Sequence, residues 1–305
     1  MRTRSKRKKE KRQDESMSRE LPSWLSGILI FGTMVTVVYT ELKRPLREQT
    51  QDKVRRDVRN AAMSLMTAAT ISLTEKPLTT PLSQAVVRNR WGLLKLKRLP
   101  VGVDLLLSII LLDYTLYVWH VLTHKVPFLW RFHQVHHVDL DLDASTALRF
   151  HAIEMALSVP WRAAQVLLFG VSTKGLALWQ TLTLMEILFH HSNIRLPAGL
   201  ERRLCRIIVT PRMHGIHHSI VREETDSNWS TIFSWPDRVH GTLRLNVPQD
   251  EITIGVPAFR NPEELTFGKL MKMPFTAERP SWKLVGDGKP EREEPLPLPR
   301  TTLAS

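Results

Sequence analysis

Residues 100–119 are almost wholly apolar, and a histidine follows directly at position 120. About twenty such residues in a helix span roughly 30 Å, the hydrocarbon thickness of a bilayer. In lipid a helix is the single-segment structure that satisfies its own backbone N–H and C=O groups. The run carries two acids, Asp104 and Asp113. An ionisable residue inside an apolar helix marks a functional site by default. Asp113 lies seven residues before His120, two turns away on the same face. Two roles stay open for it: a hydrogen bond that orients a metal-bound histidine, or a helix–helix contact. Residues 21–39 form a second long apolar run, free of charge, with Trp24 and Tyr39 near its ends. The long charged stretch before it favours an uncleaved anchor over a signal peptide. Residues 61–74 are apolar but short, and Glu75, Lys76, Pro77 and Pro81 interrupt them. A crossing, a re-entrant segment and an interfacial helix all fit there. Residues 153–171 and 176–189 are again apolar and resemble a helical hairpin with a short turn. The expected fold is all-α: integral membrane helices with a helical cytosolic cap.

Charge divides the chain further. The net charge of +13 is concentrated in an N-terminal tail (Arg2 to Arg12), in residues 43–59 and in residues 88–98. Basic runs of this kind bind nucleic acid or anionic lipid. Here they flank apolar segments, so the lipid surface is the expected partner, with no nucleic acid. Four regions follow: a basic, disordered tail at 1–20, an anchor region at 21–99, a histidine-bearing region at 100–245 and a polar tail at 246–305. The last includes a Pro-rich stretch at 290–299, read as disordered. Cys205 is the single cysteine, so this chain can build neither an internal disulfide nor a cysteine-held iron–sulfur cluster.

The chemistry lies in the histidines. Eight of the twelve fall in three clusters: His120 and His124; His133, His136 and His137; His214, His217 and His218. Side chains three or four apart share a helix face, so each cluster should present its imidazoles together. A single HxxxH arises often by chance, but two copies of HxxHH beside it do not. Clustered cationic imidazoles would repel one another, whereas neutral ones are the commonest side-chain ligands for transition metals. Nitrogen donors suit iron, zinc and copper alike, so spacing alone leaves the metal open.

Residues 113–124 (Asp113-Tyr-Thr-Leu-Tyr-Val-Trp-His-Val-Leu-Thr-His124) and 129–137 (Leu129-Trp-Arg-Phe-His-Gln-Val-His-His137) resemble the fatty acid hydroxylase / sterol desaturase superfamily. So do residues 147–151, 191–197, 213–219 (Met213-His-Gly-Ile-His-His-Ser219) and 226–228. The resemblance extends over residues 105–245, weakly over 253–275, and is nearest to bacterial members of unassigned substrate. It makes 100–245 the catalytic domain. It implies an integral, multi-pass membrane enzyme whose histidines hold two iron ions on the cytoplasmic side. Such enzymes use O2 and two electrons to hydroxylate or desaturate a lipid. Zinc is a possible occupant of the purified protein.

The family's ligand positions fall on His120, His124, His133, His136, His137, His214, His217 and His218. A further ligand comes from the segment before the last cluster, where His190 and His191 both stand. Some relatives carry a histidine where this chain has Glu186, so Glu186 either ligates, holds a water or orients His190. Asp113, His151, Glu186 and Asn193 are the candidates to brace the ligands, and His240 reads as a surface or packing residue. An external electron donor is expected, a ferredoxin or a cytochrome b-type protein with its reductase. Basic residues, among them Arg131, Arg149, Arg202, Arg203, Arg206 and Arg212, would steer it in. Two other readings compete. One is a zinc-dependent membrane hydrolase, disfavoured because HExxH and Gly-x-Ser-x-Gly are both missing. The other is a catalytically inactive metal-binding membrane protein. Charge counting places the tail and the 41–60 loop in the cytoplasm, which conflicts with a cytoplasmic metal site if residues 21–39, 61–87 and 100–119 all cross.

Overall fold

A computed structural model describes residues 22–276 and 279–284, together with Gln13, Glu15, Met17 and Pro290. Most of the basic tail, and the Pro-rich run after Pro290, lie outside the described residues. Among the described residues there are helices and isolated β-bridges, and no strand. The long helices are α1 (Ser23–Lys43), α2 (Lys53–Thr70), α3 (Lys76–Asn89), α4 (Val101–Lys125), α6 (Ala152–Phe169) and α7 (Thr173–His191). Shorter ones are α5 (Pro127–His137), α8 (Ala198–Leu204), α9 (Pro211–His217), α10 (Arg222–Thr225), α11 (Trp235–Val239) and α12 (Phe267–Lys272).

The long helices run between two ends of the molecule. At one end lie the histidines. There α4 and α7 finish and α6 begins. The chain just after α1 joins them through a bridge between Pro45 and Ile194. At the far end the loop after α3 meets the α6–α7 turn. Gly92 (φ +84°) and Gly170 (φ +74°) lie in contact there, and a Cβ on either would strike the other loop's backbone. Residues 61–87 belong to a helix that spans both ends: α2 continues through a π-helical turn, Ile71–Glu75, into α3. The turn at Gly170 joins α6 and α7, but the two pack mainly on different partners. α7 lies against α1 and α4, whereas α6 lies against α2–α3. Among the described residues two helices, α1 and α4, are long and apolar enough to cross a membrane.

Local chemistry explains how the clusters meet. Proline has no N–H and a fixed φ, so Pro127 stops one helix and starts the next. Val126 is the sole residue between α4 and α5, and α5 therefore folds back on α4. His151 caps α6 by accepting the Ile153 N–H at 3.1 Å. The start of α2 is bolted to the loop after α5 through buried charges. Arg56 donates to Asp139 (3.1 Å) and Asp143 (2.6 Å), and Arg59 adds a bond to Asp139 (2.8 Å).

Burial alone would raise both carboxyls, but Arg56 and its neighbours outweigh it. Asp139 is held well below the usual range and Asp143 is brought to about 2. Part of the segment expected as a polar tail is packed. Val256, Ala258, Phe259, Leu265, Leu270 and Met273 form one core with Val135 and Val138 at the end of α5.

Candidate metal centre

The imidazoles converge in two groups, each with ligand atoms within 4.8 Å of one another. The first group is His120, His124, His133, His137 and His217, and the second is His136, His191, His214 and His218. The clusters do not each present a single face, as the sequence suggests. Residues four apart stay together (120 and 124, 133 and 137, 214 and 218), while His136 and His217 cross to the other group. On a helix, positions 136 and 137 are about 100° apart, which is the physical reason. The groups adjoin, with the His137 and His218 rings stacked at 4.3 Å.

Contacts at Nδ1 fix several rings. His120 donates to the Trp229 carbonyl (2.8 Å) and His217 to the Ser227 carbonyl (2.8 Å). His133 meets Glu154 Oε1 at 2.7 Å, and His191 donates to the Ile187 carbonyl at 2.8 Å. A ring whose Nδ1 carries the proton presents a lone pair at Nε2. The Nε2 atoms of His133 and His217 are buried without a partner. Outside the long helices, burial first and then neighbouring imidazoles push His136, His137, His214, His217 and His218 well below the ordinary histidine range. They are neutral at pH 7, the form that binds metal.

Protons alone do not satisfy the second group. His191 Nε2 lies 3.0 Å from His136 Nε2 and 3.0 Å from His214 Nε2, and His214 Nε2 lies 3.1 Å from His218 Nε2. A neutral ring nitrogen donates or accepts, but not both. With the proton of His191 on Nδ1, one proton on His214 would have to serve two neighbours. A cation shared by four lone pairs removes the conflict. Nitrogen donors gathered in sets of five and four fit a pair of transition-metal ions.

The remaining candidates take different places. His190 stands outside both groups; its Nδ1 donates to the Thr231 carbonyl (3.2 Å) and its ring lies 4.1 Å from that of His214. Asp113 accepts the backbone N–H groups of Ile232 (3.0 Å) and Phe233 (3.1 Å) rather than an imidazole. Glu186 has a buried Oε1 without a partner, one turn before His190, and belongs to neither group. Asn193 clamps Arg47 through both its amide atoms, at 2.9 and 2.8 Å. His151 donates to the Met271 carbonyl at 3.3 Å, away from the imidazoles. His240 stacks on Tyr114 and Tyr117.

Sequence reasoning missed Glu154 and the carbonyls of residues 227–231. Glu154 had a readable signal, since it opens the apolar α6 as that helix's acid nearest the HxxHH cluster. Backbone carbonyls leave no signal in composition.

A helical protein with a buried, two-part polyhistidine centre is the class that fold and site define. The fatty acid hydroxylase family model matches residues 105–242, somewhat less than half of the chain, and the likeness to that family rests on this segment. The ornithine lipid hydroxylase OlsE of Rhizobium tropici is 29% identical over 158 residues, 52% of this chain and 46% of that protein. A cholesterol 25-hydroxylase-like protein of Danio rerio is 31% identical over 146 residues, 47% of this chain and 56% of that protein. The alkylglycerol monooxygenase of Homo sapiens is 29% identical over 131 residues, 43% and 28% of the two chains. The aligned part spans about half, or less, of these relatives' lengths. No solved structure matches the chain to a significant level.

Proposed function

We propose that this chain is an O2-dependent, non-haem di-iron membrane oxidoreductase that hydroxylates or desaturates a lipid. The observation that carries the reading is the pair of buried imidazole groups inside a fatty acid hydroxylase-family segment. The names of the relatives point to lipid hydroxylation as the chemistry.

Two iron ions held by His120, His124, His133, His137 and His217, and by His136, His191, His214 and His218, would supply O2 activation and C–H cleavage. For hydroxylation the balance is R–H + O2 + 2 e⁻ + 2 H⁺ giving R–OH + H2O. The chain's own residues bind and orient. Glu154 and the carbonyls of Ser227, Trp229 and Ile187 hold Nδ1 protons, so Nε2 lone pairs face inward. Burial of every imidazole in both groups keeps bulk water away from the reacting carbon. Exposed Trp24, Ile28, Phe31 and Tyr39 on α1, with Leu65 and Leu73 on the α2–α3 helix, form the lipid-facing surface. The histidine end would face the cytoplasm.

The single cysteine, buried Cys205, leaves electron supply to an external donor. Exposed Arg202, Arg203 and Arg206 on and beside α8 would meet an acidic ferredoxin or cytochrome b-type protein with its reductase. Arg149 cannot contribute to steering, because it is fully buried, with Nη1 turned to the His136 carbonyl.

The test combines metal analysis, oxygen uptake and lipidomics of the detergent-purified protein. Two irons per chain and carrier-dependent oxygen uptake, falling as salt rises, are expected. Zinc with lipid hydrolysis would replace this reading by the hydrolase, and metal with neither activity would leave an inactive relative.

A further inference from the structure

The segment 227–233 is not helical, and its backbone is used on two sides. On one side, the carbonyls of Ser227, Trp229 and Thr231 accept the Nδ1 protons of His217, His120 and His190 at 2.8, 2.8 and 3.2 Å. The three accepting residues alternate along the segment. On the other side, two carboxylates each take a pair of adjacent N–H groups. Asp237 accepts from Trp229 and Ser230, both at 3.0 Å. Asp113 accepts from Ile232 (3.0 Å) and Phe233 (3.1 Å). Asn228, at φ +52°, pins the segment from within. Its Nδ2 donates to the Met213 and Arg244 carbonyls at 2.9 and 2.8 Å.

Both carboxylates are buried, Asp113 at 1% exposure and Asp237 at 0%. Burying a carboxylate is strongly unfavourable unless its hydrogen bonds are specific. Specificity here means register. A shift of the segment by one residue would move the three carbonyls off their imidazoles and release three tethers together. An amide in place of either carboxylate would set its NH2 against one of two N–H donors.

We propose that Asp113 and Asp237 are positioning residues for the metal centre, fixing the register of segment 227–233 so that its alternate carbonyls aim His217, His120 and His190. They act on the imidazoles through this backbone, touching neither metal nor lipid. The inference rests on the reading of the histidines as ligands.

The test is cobalt titration of the full-length, metal-stripped protein in detergent, followed by visible absorption and by metal stoichiometry. The parent should take two cobalt ions per chain. Asp113→Asn and Asp237→Asn should keep one ion at parental strength and bind the other about 10–100-fold more weakly, as lost ligand support does. The weakened ion should be the one whose spectrum also changes in His120→Ala. Variants that melt earlier yet bind both ions like the parent would show a merely structural role and overturn the inference. A parent that binds no cobalt overturns the ligand reading itself, and this inference with it.

Hydrogen exchange on the parent gives a second arm that needs no variant. The N–H groups of residues 229, 230, 232 and 233 should be protected with and without metal, because carboxylates hold them. Protection that appears only on metal loading would overturn the proposal.

Discussion

The two imidazole groups lie side by side, yet they are held in different ways. In the first, three of five rings are braced from outside, His120 by a carbonyl, His217 by a carbonyl and His133 by Glu154. In the second, one ring of four is braced, His191 by the carbonyl a turn before it in α7. The Nδ1 atoms of His136, His214 and His218 are buried without a partner, while the Nε2 atoms of His136 and His214 meet that of His191, and that of His218 meets His214. The first group has its lone pairs aimed before any cation arrives. In the second, the cation itself must hold the rings. Pre-oriented ligands lose less freedom on binding, so the first position should be the tighter and the more selective.

Removing an aimed ligand should break this arrangement most. In His217→Ala the first group loses one of its five donors, and activity should fall below about 1% of the parent, beyond the loss typical of a supporting residue. Metal analysis beside oxygen uptake checks this, and parental metal content in the variant would refute the ligand assignment. A smaller effect is expected from Glu154→Gln, which leaves His133 in place but replaces its carboxylate partner. The first position should bind its metal about 10–100-fold more weakly, and the second should be unchanged. If both positions weaken equally in a cobalt titration, the groups are not separately supported.

How far the sequence revealed this depends on what kind of group does the work. The helical fold was legible from apolar run length, and nine of the ten candidate ligands were brought together. The partition into two groups was not, because it needs the meeting of imidazoles from α5 with those of residues 217 and 218 as well as the spacing within each cluster. Asp113 stood out in the sequence as an acid inside an apolar helix, but its partner proved to be the backbone of residues 232 and 233. Glu75, which blurred the reading of residues 61–87, lies at the end of the π-helical turn that joins α2 to α3. Residues 247–273 looked polar because their buried side chains are spaced irregularly, with no helical or strand period to mark them.

Acid offers a milder comparison. His136, His137, His214, His217 and His218 all stay neutral in the fold far below the ordinary value of 6.5. As pH falls through 6.5 the unfolded chain gains protons that these folded rings refuse. The metal-free fold should therefore lose stability below that pH, by about 1.4 kcal/mol per pH unit for each such histidine. Above 6.5 they contribute no pH dependence. Bound metal should delay the loss, and release should occur in two steps as pH falls, the second group first. Metal retained after rapid desalting at stepped pH measures this. A single release step for both ions would erase the distinction between braced and unbraced rings.

The smallest effect should come from His190→Ala, and it sharpens the comparison by ligand number. His190 is tethered like a ligand, its Nδ1 proton on the Thr231 carbonyl, and its ring touches that of His214. Yet it falls outside the set of ligand atoms within 4.8 Å. Its loss leaves a buried carbonyl without a donor and a small cavity, a penalty of about 1–3 kcal/mol. The expected result is a melting temperature lower by several degrees, both metals retained and activity within about threefold of the parent. His191→Ala, one residue on, should empty the second position. Should His190→Ala shed metal as fully as His191→Ala, the second group has five donors like the first. The difference between the groups would then reduce to bracing alone.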